Sequence, residues 1–253
     1  MPQWPAPARV KALCTTRAGG ISTAPWDSLN LGGHVGDDAQ RVQHNRRVLQ
    51  QAVAARPVFM NQVHGCEVLT LSTDLPDGRA ADAACTTQIG LACTVMVADC
   101  LPVLLCDTAG QMVAAAHAGW RGLAGTHGTG VLEAVFKCFD AIARTDVAQP
   151  AMEVIAWLGP CIGPGAFEVG EEVRAAFVAH SMDAARCFQP LGNDKWLADL
   201  AGLARQRLNA LGVRRVFGND SGPEWCTAGN PSRFFSHRRD RISGRQAACI
   251  WLE

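Results

Sequence analysis

The sequence has no Cys-x-x-C pair, no long apolar run and no excess of charge of either sign. The first absence excludes a zinc ribbon and a thioredoxin-type redox motif. The second excludes a transmembrane helix, which needs about 20 consecutive apolar residues; runs such as 113–116 fall far short. The third, 23 Lys plus Arg against 23 Asp plus Glu, removes the basic signature of a dedicated nucleic-acid binder. The segment Met1-Pro2-Gln3-Trp4-Pro5-Ala6-Pro7 carries no basic stretch followed by an apolar one, so no secretory signal is expected. The expectation is a soluble, cytoplasmic protein that engages neither membrane nor nucleic acid.

What is present is apolar surface and cysteine. Hydrophobic residues make up 48% of 253 residues, ample for a sizeable core and against disorder. Cysteine occurs eleven times. An odd count without an export signal argues against a disulfide framework. Most of these cysteines stand in apolar runs and read as small buried hydrophobes.

Short apolar runs alternate with helical patterns along the chain. Strands are expected at 10–15, 58–61, 68–72, 91–97, 102–106, 112–117, 153–158, 213–217 and 247–252. Helices are expected from a cap at Asp37 or Asp38 to about residue 54, and at 123–139, 169–180 and 197–211. Gly128 and Gly130 weaken the second of these. Several strands are apolar almost without alternation, the character of strands buried on both faces. With no linker or repeat, the chain reads as one mixed α/β (α+β) domain over residues 1–253.

Histidine and cysteine are the natural metal ligands in such a protein. His64 ends the hydrophobic run before Gly65. Cys100 sits at the break between two buried strands, and His117 ends a third, just before Gly119-Trp120-Arg121-Gly122. Strand ends are where a core gives way to a cleft, so the three can converge. Two imidazoles and a thiolate make a three-ligand zinc site with an open position, the catalytic arrangement, at which a water becomes acidic. The residues alone leave open that the histidines are simply hydrogen-bonded and Cys100 merely packs. Arg121, with the free N–H groups beside it, can hold an anion, and Thr16-Arg17 offers a second such place. The basic run 233–241 carries two aromatics; on a neutral chain it suits a small anion or a solvated face. The glycine- and proline-rich stretch 159–165 reads as a rigid loop of the kind that lines sites.

Taken together these segments resemble the YfiH family, described variously as a laccase or polyphenol oxidase domain, a purine nucleoside phosphorylase and a peptidoglycan editing factor. The resemblance runs through Thr15-Thr16-Arg17-Ala18-Gly19-Gly20, Ser28-Leu29-Asn30-Leu31, Asn61-Gln62-Val63-His64-Gly65, Ala98-Asp99-Cys100-Leu101-Pro102, His117-Ala118-Gly119-Trp120-Arg121-Gly122, Gly159-Pro160-Cys161 and Phe234-Phe235-Ser236-His237-Arg238-Arg239-Asp240. It implies a layered sandwich of mixed β-sheets with helices packed outside. It also implies a zinc ion on His64, Cys100 and His117, phosphorolysis of adenosine, inosine or methylthioadenosine, and deamination of adenosine. The chain departs from the family in having His237 where Tyr is common (it has no Tyr at all) and in the loop 240–245, where the family commonly has Asp-Gly.

In this reading Cys100, His117 and Arg121 are the catalytic set. Arg17 and Arg121 are the candidates for phosphate, and Asn30, Asn61, Gln62 and Asp99 for positioning the nucleoside. The partners are then a purine nucleoside and phosphate, acting on a monomer. Three rivals remain. Cys100 and His117 could act as a thiol nucleophile and base on a cell-wall precursor. The site could bind Cu²⁺ in vitro and oxidise phenols, although seven histidines are too few for a multicopper set. Or the zinc could be structural, with a fourth ligand from His34, His127 or Cys161.

Overall fold

The computed structural model describes residues 1–143 and 152–253. In chain order its first half contains β1 (Val10–Cys14), α1 (Ala39–Val53), β2 (Arg56–Phe59), β3 (Val68–Thr70), β4 (Ala83–Thr86), β5 (Leu91–Val97), β6 (Leu101–Asp107) and β7 (Val113–Ala118). There follow α2 (Trp120–Ala124), α3 (Val131–Ala143), β8 (Val154–Leu158), β9 (Glu168–Gly170), α4 (Glu171–Val178), β10 (Phe188–Gly192) and β11 (Lys195–Ala198). The chain closes with α5 (Leu200–Ala210), β12 (Arg215–Gly218), α6 (His237–Asp240) and β13 (Gln246–Leu252).

Two mixed sheets face each other. One has the order β1-β13-β5-β2 and the other β12-β8-β6-β7-β4-β3. Alternation along single strands shows the layering. Leu104 of β6 points into the core shared by the two sheets, with Val95, Ala115, Ile155 and Ile250. Its neighbours Val103 and Leu105 point the other way, into a core with Leu132, Val135 and Phe139 of α3 and Leu203 and Leu208 of α5. On the far side, Leu49 and Val53 of α1 pack on Ala92, Met96 and Trp251. Central strands are therefore covered on both faces, and β5, β6, β7, β8 and β13 are buried at every residue. This is the expected sandwich of mixed sheets with helices outside. Among the described residues no helix is long and apolar enough to cross a membrane.

Some expected elements differ. The helix expected over 123–139 is two helices, because Gly125 takes φ +65° and Gly128 φ +75°, and a side chain at Gly125 would collide with the Thr129 carbonyl. The helix expected from 197 starts at Leu200, since residues 195–198 pair in β11 and Asp199 caps the helix by accepting from Gly202 N at 2.9 Å. The helix expected from 169 starts at Glu171, after β9. A small third sheet, β10-β11-β9, and strand β4 were absent from the sequence expectation. The cap at Asp38 stands, accepting from Gln40 N and Arg41 N.

The pairing pattern gathers one end of the sandwich. β2 runs parallel to β5, so both finish together. β13 runs antiparallel to β5 and begins there, with Gln246 opposite Val97. Across the facing sheet, the start of β6 meets the end of β7, with Pro102 opposite His117, and the end of β8, with Val103 opposite Leu158. The loops after β2, β5, β7 and β8 and the loop before β13 therefore meet at one place.

Candidate metal centre

His64, Cys100 and His117 converge at that end. Their ligand atoms all lie within 4.8 Å of one another, and the two imidazole rings meet edge to face, 4.8 Å between centroids. His117 is buried at the end of β7, Cys100 is half-buried in the turn between β5 and β6, and His64 is exposed in the loop after β2. None of the other cysteines, nor His34 or His127, belongs to this group.

The group is organised by Asp82, which has no solvent exposure. Its carboxylate accepts the backbone N–H of Val63 at 3.1 Å, of His64 at 2.8 Å and of Gly65 at 2.7 Å. It also pairs with His117 Nδ1 at 2.8 Å. A carboxylate only accepts, so Nδ1 of His117 carries the proton and Nε2 is left free towards the cluster, the usual second partner of a metal-ligating histidine. One side chain thus orients one ligand and holds the loop of another, which bears His64 at φ +61°. Burial alone would raise the Asp82 carboxyl, but His117 and the backbone N–H groups overcome it and hold it below the usual carboxylate range.

Electrostatics inside the group favour a bound cation. Burial pushes the Cys100 thiol up, yet the charge and hydrogen bonds of His117 and His64 bring it down to about 6. Burial pushes His117 down, yet the Cys100 thiolate and Asp82 bring it up to about 9. Without metal the pair is a thiolate beside an imidazolium, a place where a divalent cation substitutes for protons. Two nitrogens and a sulfur match the zinc donor set. Gly119 completes the cradle. A Cβ there would lie 2.9 Å from Cys100 Sγ and 3.0 Å from His64 Cδ2, closer than normal packing allows. Gly119→Ala is expected to lower metal affinity about 10–100-fold, as loss of a supporting residue does. Its backbone at φ −67° accommodates alanine, so any fall in the metal-free melting temperature comes from the displaced Cys100 and His64 side chains alone. Competition with a chromophoric chelator measures the first, and a thermal melt the second.

The cluster lies in a cleft of ≈ 380 Å³ whose lining also includes His34, Gln62, Asp99, Trp120, Arg121, Phe167, Arg241 and Arg245. Of the residues singled out from sequence, Gln62, Asp99 and Arg121 line this cleft. Gln62 makes two 2.8 Å hydrogen bonds with the Met96 backbone, fastening the His64 loop to β5. Asp99, at φ +93°, accepts from Thr227 Oγ1 and from Arg238 N, both at 2.6 Å. The Arg121 guanidinium stands 4.5 Å over the Trp120 ring.

Arg17, Asn30 and Asn61 lie outside the lining. Arg17 donates to the Asp27 and Pro231 carbonyls at 2.8 Å and pairs with the Asp27 carboxylate at 3.2 Å. Asn30 is buried, and its Oδ1 accepts from Gly32 N and Arg245 N, both at 2.9 Å. Asn61 is bound through its backbone to Arg79 and Ala81. Of the proposed fourth ligands, His34 lines the cleft. Cys161 is buried and hydrogen-bonded to Asn219, and His127 sits in the loop between α2 and α3. Asp82 and Arg245 were not singled out from the sequence, and Gly119 and Arg241 were read only as parts of the segment 119–122 and the basic run 233–241. Asp82 did leave a signal: a lone carboxylate within the small apolar run Ala80-Ala81-Asp82-Ala83-Ala84, where a buried charge requires partners.

A family model described as multi-copper polyphenol oxidoreductase laccase matches residues 11–253. A purine nucleoside phosphorylase of Pseudomonas aeruginosa is 49% identical, covering 100% of this chain and 97% of its own. The purine nucleoside phosphorylase YfiH of Escherichia coli is 48% identical, covering 100% of this chain and 98% of its own. Among solved structures, a Neisseria meningitidis protein superposes with a TM-score of 0.88 at 45% identity, over 100% of this chain and 98% of that one. A Bacillus licheniformis protein named YfiH superposes with a TM-score of 0.85 at 28% identity, over 96% of this chain and 93% of that one. Sequence and fold agree from end to end, and the chain belongs to the YfiH family, whose model carries the laccase description.

Proposed function

We propose that the protein is a zinc-dependent purine nucleoside phosphorylase that acts on adenosine, inosine or methylthioadenosine and also deaminates adenosine. The observation that carries this reading is the His64–Cys100–His117 group placed in an arginine-lined cleft. The names of the relatives agree with its phosphorylase part. Zinc on these three residues would supply Lewis acidity at an open coordination position.

The chain's own residues do the rest. Asp82 keeps the Nδ1 proton on His117 and so fixes which nitrogen faces the cluster. Gln62 and Asp99 lock the loops that carry His64 and Cys100. Met96, Ile162, Phe167 and Leu200 give the cleft an apolar side suited to a purine ring. Arg121 is one candidate for phosphate, by charge and by its place in the lining. In phosphorolysis a phosphate oxygen bonds to the anomeric carbon, the glycosidic C–N bond breaks, and the purine leaves with the electron pair and takes a proton. The test follows adenosine by chromatography with zinc-loaded protein. Adenine released only when phosphate is present supports phosphorolysis, and inosine in both samples supports deamination. Neither product would sink the reading.

A second reading keeps a specific observation: the Cys100–His117 pair is the thiolate–imidazolium arrangement of a cysteine hydrolase. The two separate on metal. Iodoacetamide is expected to label Cys100 in metal-free protein, located by peptide mapping, and one equivalent of zinc to suppress that labelling at least tenfold. Undiminished labelling in protein loaded with zinc would favour the hydrolase. The laccase description raises copper as well, and Cu²⁺ would outcompete Zn²⁺ at these donors in vitro. Among the described residues, however, one group of three or more ligand-type side chains is close enough to hold a metal, against the several centres of a multicopper oxidase.

A further inference from the structure

Positive charge is concentrated in the cleft of a chain that has no net charge overall. Four arginines line it, Arg121, Arg238, Arg241 and Arg245, against one acidic residue, Asp99. Asp99 is already engaged by Thr227 and Arg238 N. Arg238 is engaged as well, donating through Nη1 to the Glu168 carbonyl at 3.0 Å.

Arg245 is held differently. Its backbone N–H donates to the buried Asn30 Oδ1 at 2.9 Å, and its carbonyl accepts from Leu31 N at 3.1 Å. Its stem occupies the space that Gly32 leaves, where a Cβ would come within 2.8 Å of Arg245 Cγ. Nη1 donates to the carbonyls of Ser243 at 2.8 Å and Gly244 at 3.0 Å. Main chain, stem and one nitrogen are thus fixed, while Nε and Nη2 have no hydrogen-bond partner among the described residues. The charge sits within electrostatic reach of Cys100 and Asp99. Arg241, exposed and without a described side-chain partner, lines the same cleft at φ +62°. A rigid guanidinium with two donors left over matches two oxygens of a tetrahedral oxyanion.

We propose that Arg245 anchors a phosphate-type oxyanion beside the metal ligands, through Nε and Nη2, with Arg241 contributing from the exposed side of the cleft. Its catalytic meaning rests on the phosphorylase reading; the binding itself does not. The role expected of Arg17 passes to Arg245, and Asn30 becomes the residue that positions it. The oxyanion is either free phosphate or a phosphate carried by the organic substrate, and the experiment separates the two.

Full-length zinc-loaded protein and its R245Q and R245K variants are titrated with inorganic phosphate, and separately with adenosine 5′-monophosphate, by calorimetry. The expected result is a phosphate affinity about 10–100-fold weaker in R245Q, the effect of losing charged hydrogen bonds. Zinc content should be unchanged. R245K keeps the stem and the charge but not the fork, and should be weakened at least about fivefold. It carries the test should R245Q lose its zinc. A loss confined to the nucleotide supports the anchor and assigns the oxyanion to the organic substrate. Wild-type affinity for both ligands in both variants overturns the proposal, even if the wild-type enzyme phosphorolyses adenosine. Conversely, R245Q that loses phosphate while the wild type releases no adenine leaves the anion site standing and removes the phosphorylase reading.

Discussion

Replacing Asp82 with alanine is expected to weaken metal binding about 10–100-fold and to destabilise the metal-free protein by about 3–5 kcal/mol. Both effects have one origin. The carboxylate has no exposure and serves four donors, three of them backbone N–H groups of the His64 loop and the fourth His117 Nδ1. Removing it leaves a buried imidazolium and three backbone donors of a half-exposed loop without their partner, and the stranded imidazolium alone costs more than the pair itself contributes. The metal then meets a His117 free to turn and a His64 loop with no fixed floor. Asp82→Asn should lie between, because one amide oxygen still accepts while the NH₂ faces donors. Denaturant titration of metal-free protein reads the first effect and chelator competition the second. An Asp82→Ala protein with wild-type stability and zinc affinity would show that the carboxylate is incidental to the site.

The large features of the fold were legible because they rest on burial. Strands β5 to β8 and β13 are apolar on both faces, and the sequence has no other way to place so many consecutive apolar residues. His64, Cys100 and His117 stood out because polar ligand types at the ends of such runs either leave the core or need a partner within it, as His117 finds in Asp82. Asp82 was harder to read, since what it does depends on partners 18 and 35 positions away. Arg17, Asn30 and Asn61, by contrast, lie outside the cleft lining. They stand in segments that carry the family resemblance, yet their hydrogen bonds run largely to backbone groups of neighbouring loops. The small sheet β10-β11-β9 was illegible because β10 reads Phe188-Gln189-Pro190-Leu191-Gly192, exposed after its first residue and interrupted by Pro and Gly. The break between α2 and α3 turns on the backbone angles of Gly125 and Gly128, where periodicity still favours a continuous helix.

That break leads to the second large expectation. Arg207 of α5 is only 6% exposed and straps the glycine-rich segment between α2 and α3. Nη1 donates to the Gly128 carbonyl at 2.7 Å and to Glu133 Oε1 at 3.0 Å, and Nη2 to the Ala124 carbonyl at 2.9 Å. Glu133 in turn accepts from Gly130 N at 2.8 Å. Arg207→Met should therefore strand a nearly buried carboxylate and two carbonyls at once, costing about 3–5 kcal/mol. For a domain of this size that is a fall in melting temperature of roughly 6–20 °C. Adding Glu133→Gln to Arg207→Met should recover part of the loss, since the stranded charge goes with it. The strap holds the helix that starts with Trp120 and Arg121, two lining residues, whereas the metal ligands lie in the β-strands and their turns. Zinc affinity should accordingly survive in Arg207→Met while the KM for substrate rises. A loss below about 1 kcal/mol would place the pair in the range of exposed ion pairs and remove the strap from the account of how this end of the cleft is built.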